Sequence, residues 1–146
     1  MAQMIFVNLP VTDLTRSKAF YEAIGFRNEP KFSNESAAMM VLSDTISVML
    51  LTHDFYRTFT AKPIADAHAT SQVLLCLSRD STDAVDRMVE AASVNGGKAD
   101  PGPRQEMGGM MYGRSFEDPD GHHWETMWMD AAAAEQGAQA LEPVEG

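Results

Sequence analysis

Apolar and mixed positions alternate over Met4–Val11. Ile5, Val7, Leu9 and Val11 share one face; Met4, Phe6, Asn8 and Pro10 share the other. That period of two predicts a strand. Pro10 has no N–H to give a ladder, so the strand ends there or lies at a sheet edge. The period then lengthens. Thr12 or Asp13 can cap a helix over Leu14–Ile24, which Gly25 terminates. Ala37–Leu42 and Thr45–Thr52 predict a hairpin turning at Ser43–Asp44, with Ile46, Val48 and Leu50 on a common face. His53–Thr70 breaks the pattern. It alternates polar and aromatic residues, carries Pro63, and reads as a crossing segment with short helical pieces.

Ser71–Ser78 returns to strand periodicity. A helix follows over about Thr82–Val94, capped by Asp80 or Ser81 and ended by Gly96–Gly97. Val85, Met88, Val89 and Ala92 form its apolar stripe at i, i+3, i+4, i+7. Asp100–Met110, with two prolines and three glycines, reads as a mobile loop. Tyr112–Asp130 then predicts two strands joined at Asp118-Pro119-Asp120-Gly121. A turn centred on Pro119–Asp120 pairs Phe116 with His123, Arg114 with Glu125 and Tyr112 with Met127. The order strand, helix, hairpin is thus used twice. It predicts an α+β fold of two βαβββ modules (about 4–52 and 71–130, joined by 53–70), forming one eight-stranded, open, curved sheet with helices outside. Residues 1–130 are expected to make one domain. The Ala-rich, acidic tail 131–146 is expected to be poorly ordered.

Composition narrows the function. The 146 residues are 45% hydrophobic and 22% charged, ordinary for a globular chain, with a net charge of −10. That charge disfavours nucleic acid and anionic membranes as partners. No apolar run approaches the roughly 20 residues that a membrane helix needs. The start MAQMIFVNLPV, with no basic region before an apolar one, does not read as a signal peptide, and the one cysteine, Cys76, fits a reducing, cytoplasmic setting. Lying in an apolar run, Cys76 is expected to be a packed core thiol.

VNLPVTDLTRSKAFYEAIGF (7–26) and SFEDPDGHHWE (115–125) resemble the opening strand–helix and the closing hairpin of the vicinal oxygen chelate superfamily, which includes glyoxalase I, bleomycin-resistance proteins and extradiol dioxygenases. The match covers nearly everything up to Asp130. The start, the SDTISVMLLT strand and the RSFEDPDGHHWE finish are further similar to a bacterial subgroup known as predicted lactoylglutathione lyases. The resemblance implies a glyoxalase-like fold, a cup and a homodimer. In metal-dependent members it implies four ligands. The matching positions here are Phe6, Leu50, Leu74 (Gln72 if the register shifts) and Glu125. Three of the four are apolar and offer a divalent ion nothing. No cofactor is therefore expected, with Ni²⁺ or Zn²⁺ the alternative.

The expected site is then a mainly apolar cup for a small molecule, lined by Phe6, Val48, Leu50, Leu74, Tyr112 and Met127, with Asn8, Gln72, Arg114 and Glu125 as polar anchors. Its seven nearby methionines either adapt the cup to a ligand or fill core. Glu125 and His123 are the candidates for acid–base chemistry. In the structural reading Glu125 pairs with Arg114 and His123 stacks near Phe116, while His53, His68 and His122 lie in loops or on the outer face. Two functions follow: metal-free binding of a small, partly apolar molecule, or a lactoylglutathione lyase-type or other isomerase or lyase using Glu125.

Overall fold

The computed structural model describes residues 2–136. The first module builds a four-stranded sheet in which β1 (Ile5–Val11) lies parallel to β4 (Ile46–Thr52), followed outward by β3 (Ala37–Val41) and the short β2 (Arg27–Glu29). In the second module β5 (Leu75–Ser78) lies parallel to β9 (His123–Met129), which pairs antiparallel with β8 (Met111–Glu117). β6 (Lys98–Ala99) and β7 (Gln105–Met107) both add to β8. The expected α+β pair of modules therefore forms. Its strands are hydrogen-bonded as two open sheets of four and five rather than as one ladder of eight. β1 and β5 are each an edge strand at one end of its sheet, as β2 and β6 are at the other.

Two helices cover one side of the sheets. α1 (Leu14–Ala23) starts where the Asp13 side chain accepts the Arg16 amide at 3.0 Å, and ends as Gly25 turns with φ of 115°. α3 (Thr82–Val94) is capped by Ser81 and buries the stripe Val85, Met88, Val89 and Ala92. Between helices and sheets lies a core drawn from both modules: Leu9, Val11, Met40, Val48 and Leu50 with Leu77, Val89, Phe116 and Trp124. Phe20, Tyr21 and Phe26 join it, Tyr21 standing edge-on to Phe26 at 5.3 Å, while Phe116 and Trp124 stack across the hairpin at 6.2 Å. Each buried aromatic contributes on the order of 1.5–3 kcal/mol through burial alone. Val48 and Leu50 are therefore core residues on the helix side, not cup residues.

The β8–β9 hairpin differs from expectation in register. The Asp118 amide donates to the His122 carbonyl, so the loop is a residue longer than a turn centred on Pro119–Asp120 allows. Asp118 Oδ1 accepts the amides of Asp120 (3.0 Å) and His122 (2.9 Å), and Gly121 takes a φ of 86°. One added residue exchanges the faces of one strand against the other. Phe116 now opposes Trp124, Arg114 opposes Thr126, Ser115 opposes Glu125, Gly113 opposes Met127 and Tyr112 opposes Trp128. Arg114 and Glu125 lie on opposite faces.

Three further expectations change. Only Leu75–Ser78 of the 71–78 stretch is strand, and Ser71–Leu74 runs exposed beside it. Cys76 is exposed rather than packed in the core, on the face shared with Glu125. Part of the 100–110 loop is strand β7. The crossing segment opens with the short α2 (His53–Tyr56) and is irregular beyond Thr58–Phe59. A short α4 (Ala131–Gln136) buries Ala133. The rest of the tail, 137–146, lies outside the described residues.

Candidate functional site

The D-P-D-G turn is a latch between the modules. Asp120 Oδ1 accepts the Thr12 amide (3.0 Å) and hydroxyl (2.8 Å), and its Oδ2 accepts the Ser17 hydroxyl (3.3 Å). Tyr21 donates to Asp118 at 2.7 Å and accepts from the Trp124 indole at 3.0 Å. His122 Nε2 lies 2.7 Å from the Pro10 carbonyl. A carbonyl only accepts, so Nε2 carries the proton. Burial pushes the Asp118 carboxyl above its ordinary value, and burial followed by the negative charge of Asp118 pushes the Tyr21 phenol well up. This latch brings the edges of β1 and β5 toward each other.

A cavity of about 570 Å³ lies at those edges. Val7–Pro10 of β1 line one side and Gln72, Val73 and Leu75 another. Segment 60–71 passes over it with Lys62, Pro63 and Ile64, and Glu117, Gly121, His122 and His123 complete the wall. Asn8, Gln72, Glu117 and His123 set a few polar groups among apolar ones, the usual anatomy of a small-molecule site. His123 Nε2 is 3.1 Å from Glu125 Oε1. An ionised carboxylate only accepts, so the shared proton sits on Nε2 and Nδ1 is left to accept another. That pair is an acid–base arrangement that reaches the cavity wall through His123. Glu125 itself stands behind His123, beside Cys76. Partial burial and then the charge of Glu125 push the Cys76 thiol up, which disfavours a nucleophilic thiolate.

The expected site residues separate into three groups. Asn8, Gln72 and His123 come together on the cavity wall, with Glu125 held to His123. Phe6, Leu74 and Met127 stay outside it; Phe6 is 45% exposed and Leu74 59%. Val48, Leu50, Tyr112 and Arg114 point to the helix side. Arg114 is buried against α3, with Nε and Nη2 on Asp100 at 3.0 and 2.7 Å and Nη1 on Asp86 at 3.0 Å. Tyr112 donates to the same Asp86 at 2.6 Å. The hydrogen bond from Tyr112 lowers Asp86, that from Arg114 lowers Asp100, and the two carboxylates raise the guanidinium. His123 does not stack on Phe116; Trp124 does. His122 is no surface histidine, because it joins the two modules through Pro10. Lys62, Pro63 and Ile64 are wall residues that periodicity could not find, because the segment carrying them has none.

The donor set does not fit a metal. Of the four positions matching ligands, Leu50 is in the core, Phe6 and Leu74 carry no donor, and Glu125 is engaged with His123. Among the described residues no three His, Cys, Asp or Glu side chains are grouped to hold an ion.

The model of the Glyoxalase/Bleomycin resistance protein/Dioxygenase superfamily matches residues 3–126. No curated protein matches the sequence. Solved structures share the fold. Hypothetical protein SA1046 from S. aureus is 24% identical, with a TM-score of 0.72 over 88% of this chain and 95% of its own. A glyoxalase/bleomycin resistance protein/dioxygenase family enzyme from Burkholderia phytofirmans PsJN is 18% identical, with a TM-score of 0.73 over 88% and 99%. The bleomycin resistance determinant encoded on the transposon Tn5 is 19% identical, with a TM-score of 0.61 over 88% and 98%. With two βαβββ-type modules, the latch between them and a family match across both, the chain belongs to the glyoxalase/bleomycin resistance protein/dioxygenase superfamily.

Proposed function

We propose that this protein binds a small, partly apolar molecule in the cavity between the two sheets, without a metal. The observation carrying the proposal is that cavity of about 570 Å³, whose apolar wall is interrupted by Asn8, Gln72 and His123. Its size suits a drug- or metabolite-sized ligand. The bleomycin resistance determinant among the structural neighbours supports the binding reading by analogy of fold. The reading includes a cytoplasmic homodimer. Met4 just before β1, Ile5 and Phe6 on it, and Val73 and Leu74 before β5 expose large apolar side chains beside unpaired strand edges, which a second copy would cover.

The test is a ligand screen by thermal shift and isothermal titration on wild type, Asn8→Ala and Gln72→Ala, with light scattering for the assembly state. Ligands that stabilise the wild type and bind the variants roughly ten-fold more weakly, about 1.4 kcal/mol, support it. Affinity unchanged in both variants would place the ligand elsewhere and overturn it.

A second reading rests on His123 and Glu125. The 3.1 Å contact on the cavity wall is an oriented base, suited to metal-free isomerase or lyase chemistry. Methylglyoxal with glutathione is the first substrate to assay, with and without added Ni²⁺ or Zn²⁺. Turnover that needs the metal sinks the metal-free form of this reading.

A further inference from the structure

Beside the apolar cavity lies a second one of about 530 Å³, of different character. It is bounded by the start of α1, by α2, by residues 64–68 and by the D-P-D-G turn. Three of the chain's four histidines (His53, His68 and His122) and two of its arginines (Arg16 and Arg57) line it. Its two arginines balance its two aspartates, Asp66 and Asp120, so the lining is neutral in a chain of net charge −10. Its two acidic residues are already engaged. Asp120 is occupied by Thr12 and Ser17, and Asp66 Oδ1 accepts the His68 amide.

The donors left over are two arginines and two imidazoles. Arg16 touches the Thr12 hydroxyl at 3.0 Å and stands 3.8 Å from Asp120; Arg57 pairs with Asp54 at 3.3 Å. Both guanidinium side chains are about half exposed, at 47% and 57%. Ion pairs so exposed are worth about 0–1 kcal/mol and yield readily to a bidentate anion. His122 spends its N–H on Pro10, so His53 and His68 are the imidazoles able to donate. His68 is set against the turn by Gly121, where a Cβ would fall 2.7 Å from the His68 amide nitrogen.

The two cavities share Pro10, Ile64, Ala65, Ala67, His68 and His122, so they are compartments of one groove. We propose that the second compartment is an oxyanion site, and that the ligand is an amphiphile: an apolar body in the first compartment and a phosphate or carboxylate head on Arg16 and Arg57. The apolar half of this proposal rests on the function proposed above; the anionic half stands on its own residues.

The experiment is an amide NMR titration with four probes: inorganic phosphate, n-hexyl phosphate, hexanoate and hexanol. It uses wild type, Arg57→Gln and the double variant Arg16→Gln/Arg57→Gln, whose exposed side chains leave folding intact. The expected result is that phosphate moves amides around Arg16, His53, Arg57 and His68, while hexyl phosphate moves these and Asn8, Gln72 and His123 together. It should bind roughly ten-fold tighter than hexanol, with the gain lost in the double variant. A stronger response to hexanoate than to hexyl phosphate makes the head a carboxylate and supports the proposal with that source. Hexanol alone binding, with no arginine dependence, overturns the oxyanion site and leaves the apolar cavity standing. Phosphate binding, with no response at Asn8 or Gln72 to hexyl phosphate, hexanoate or hexanol, overturns the amphiphile and the small-molecule cavity together, leaving an isolated anion site.

Discussion

Arg114 and Asp100 form a two-pronged ion pair, with Nε on Oδ1 at 3.0 Å and Nη2 on Oδ2 at 2.7 Å. The arginine is buried and its third contact, to Asp86, ties β8 to α3. Arg114→Met keeps the packed stem and removes all three contacts. It should cost about 2–4 kcal/mol in urea denaturation, below the full penalty of a broken buried pair because Asp86 and Asp100 keep some water. The affinity of any cavity ligand should not change, since Arg114 faces away from it.

The same cluster sets part of the acid response. Arg114 holds Asp100, and Tyr112 with Arg114 holds Asp86, below the ordinary carboxylate value of 3.8. The unfolded chain then takes up protons first. Stability from these groups is present above about pH 4 and is lost as pH falls through 3.8 toward the folded values. Asp118 works in the opposite sense. Its folded value is raised by burial, so its contribution is full below 3.8 and is lost as pH rises through that folded value. Urea denaturation between pH 3 and 6 should show a flatter acid loss for Asp100→Asn than for wild type. Asp118→Asn should gain on wild type as pH rises through the folded value.

Tyr21→Phe should cost about 2–3 kcal/mol. It leaves a buried Asp118 oxygen and the Trp124 indole N–H each without its partner, at 2.7 and 3.0 Å in the native protein. The check is a lower urea midpoint with an unchanged m-value. A loss below about 0.5 kcal/mol would mean that the latch is not what joins the modules.

Glu125→Gln separates the observed register from the expected one. Were Glu125 the partner of Arg114, removing its charge would strand a buried guanidinium. It sits instead beside His123 with its side chain 30% exposed, so stability should change by less than about 0.5 kcal/mol. If the protein turns over a substrate, kcat should fall roughly 10²-fold or more, with KM little altered.

Gly121→Ala tests how the groove is held. The residue needs a φ of 86°, and its Cβ would meet His68 and Ala67 backbone below 3 Å. Segment 67–68 must move off the turn. About 2–4 kcal/mol of stability should be lost, together with ligand affinity, because both compartments share that wall. Calorimetry on the variant reads both.

Much of this architecture is legible along the chain. The helices are announced by Asp13, Ser81, Gly25 and the Val85–Ala92 stripe, all local features whose energetics depend on neighbours three or four residues away. The D-P-D-G turn is equally plain as a turn. Its length is not. Asp118 collects two amides only when the loop runs on to His122, and that single residue sends Arg114 to the helix side and Glu125 to the other. Val48 and Leu50 have the alternation of a strand, but alternation says which residues share a face and not which face meets the helices. Cys76 and Leu74 sit in an apolar run and still lie exposed, because the edge strand β5 turns Cys76 away from the core and Leu74 precedes the strand.

Hydrophobic periodicity and caps thus suffice for the two modules and their order, since burial of apolar surface is non-directional and tolerant of a residue's error. The binding groove is not of that kind. It depends on hydrogen bonds between residues a hundred positions apart, Asp120 with Thr12 and His122 with Pro10, and on an aperiodic segment laid over two strand edges. Such contacts are directional and short-ranged, so a one-residue slip abolishes them, and only the folded chain brings their partners together.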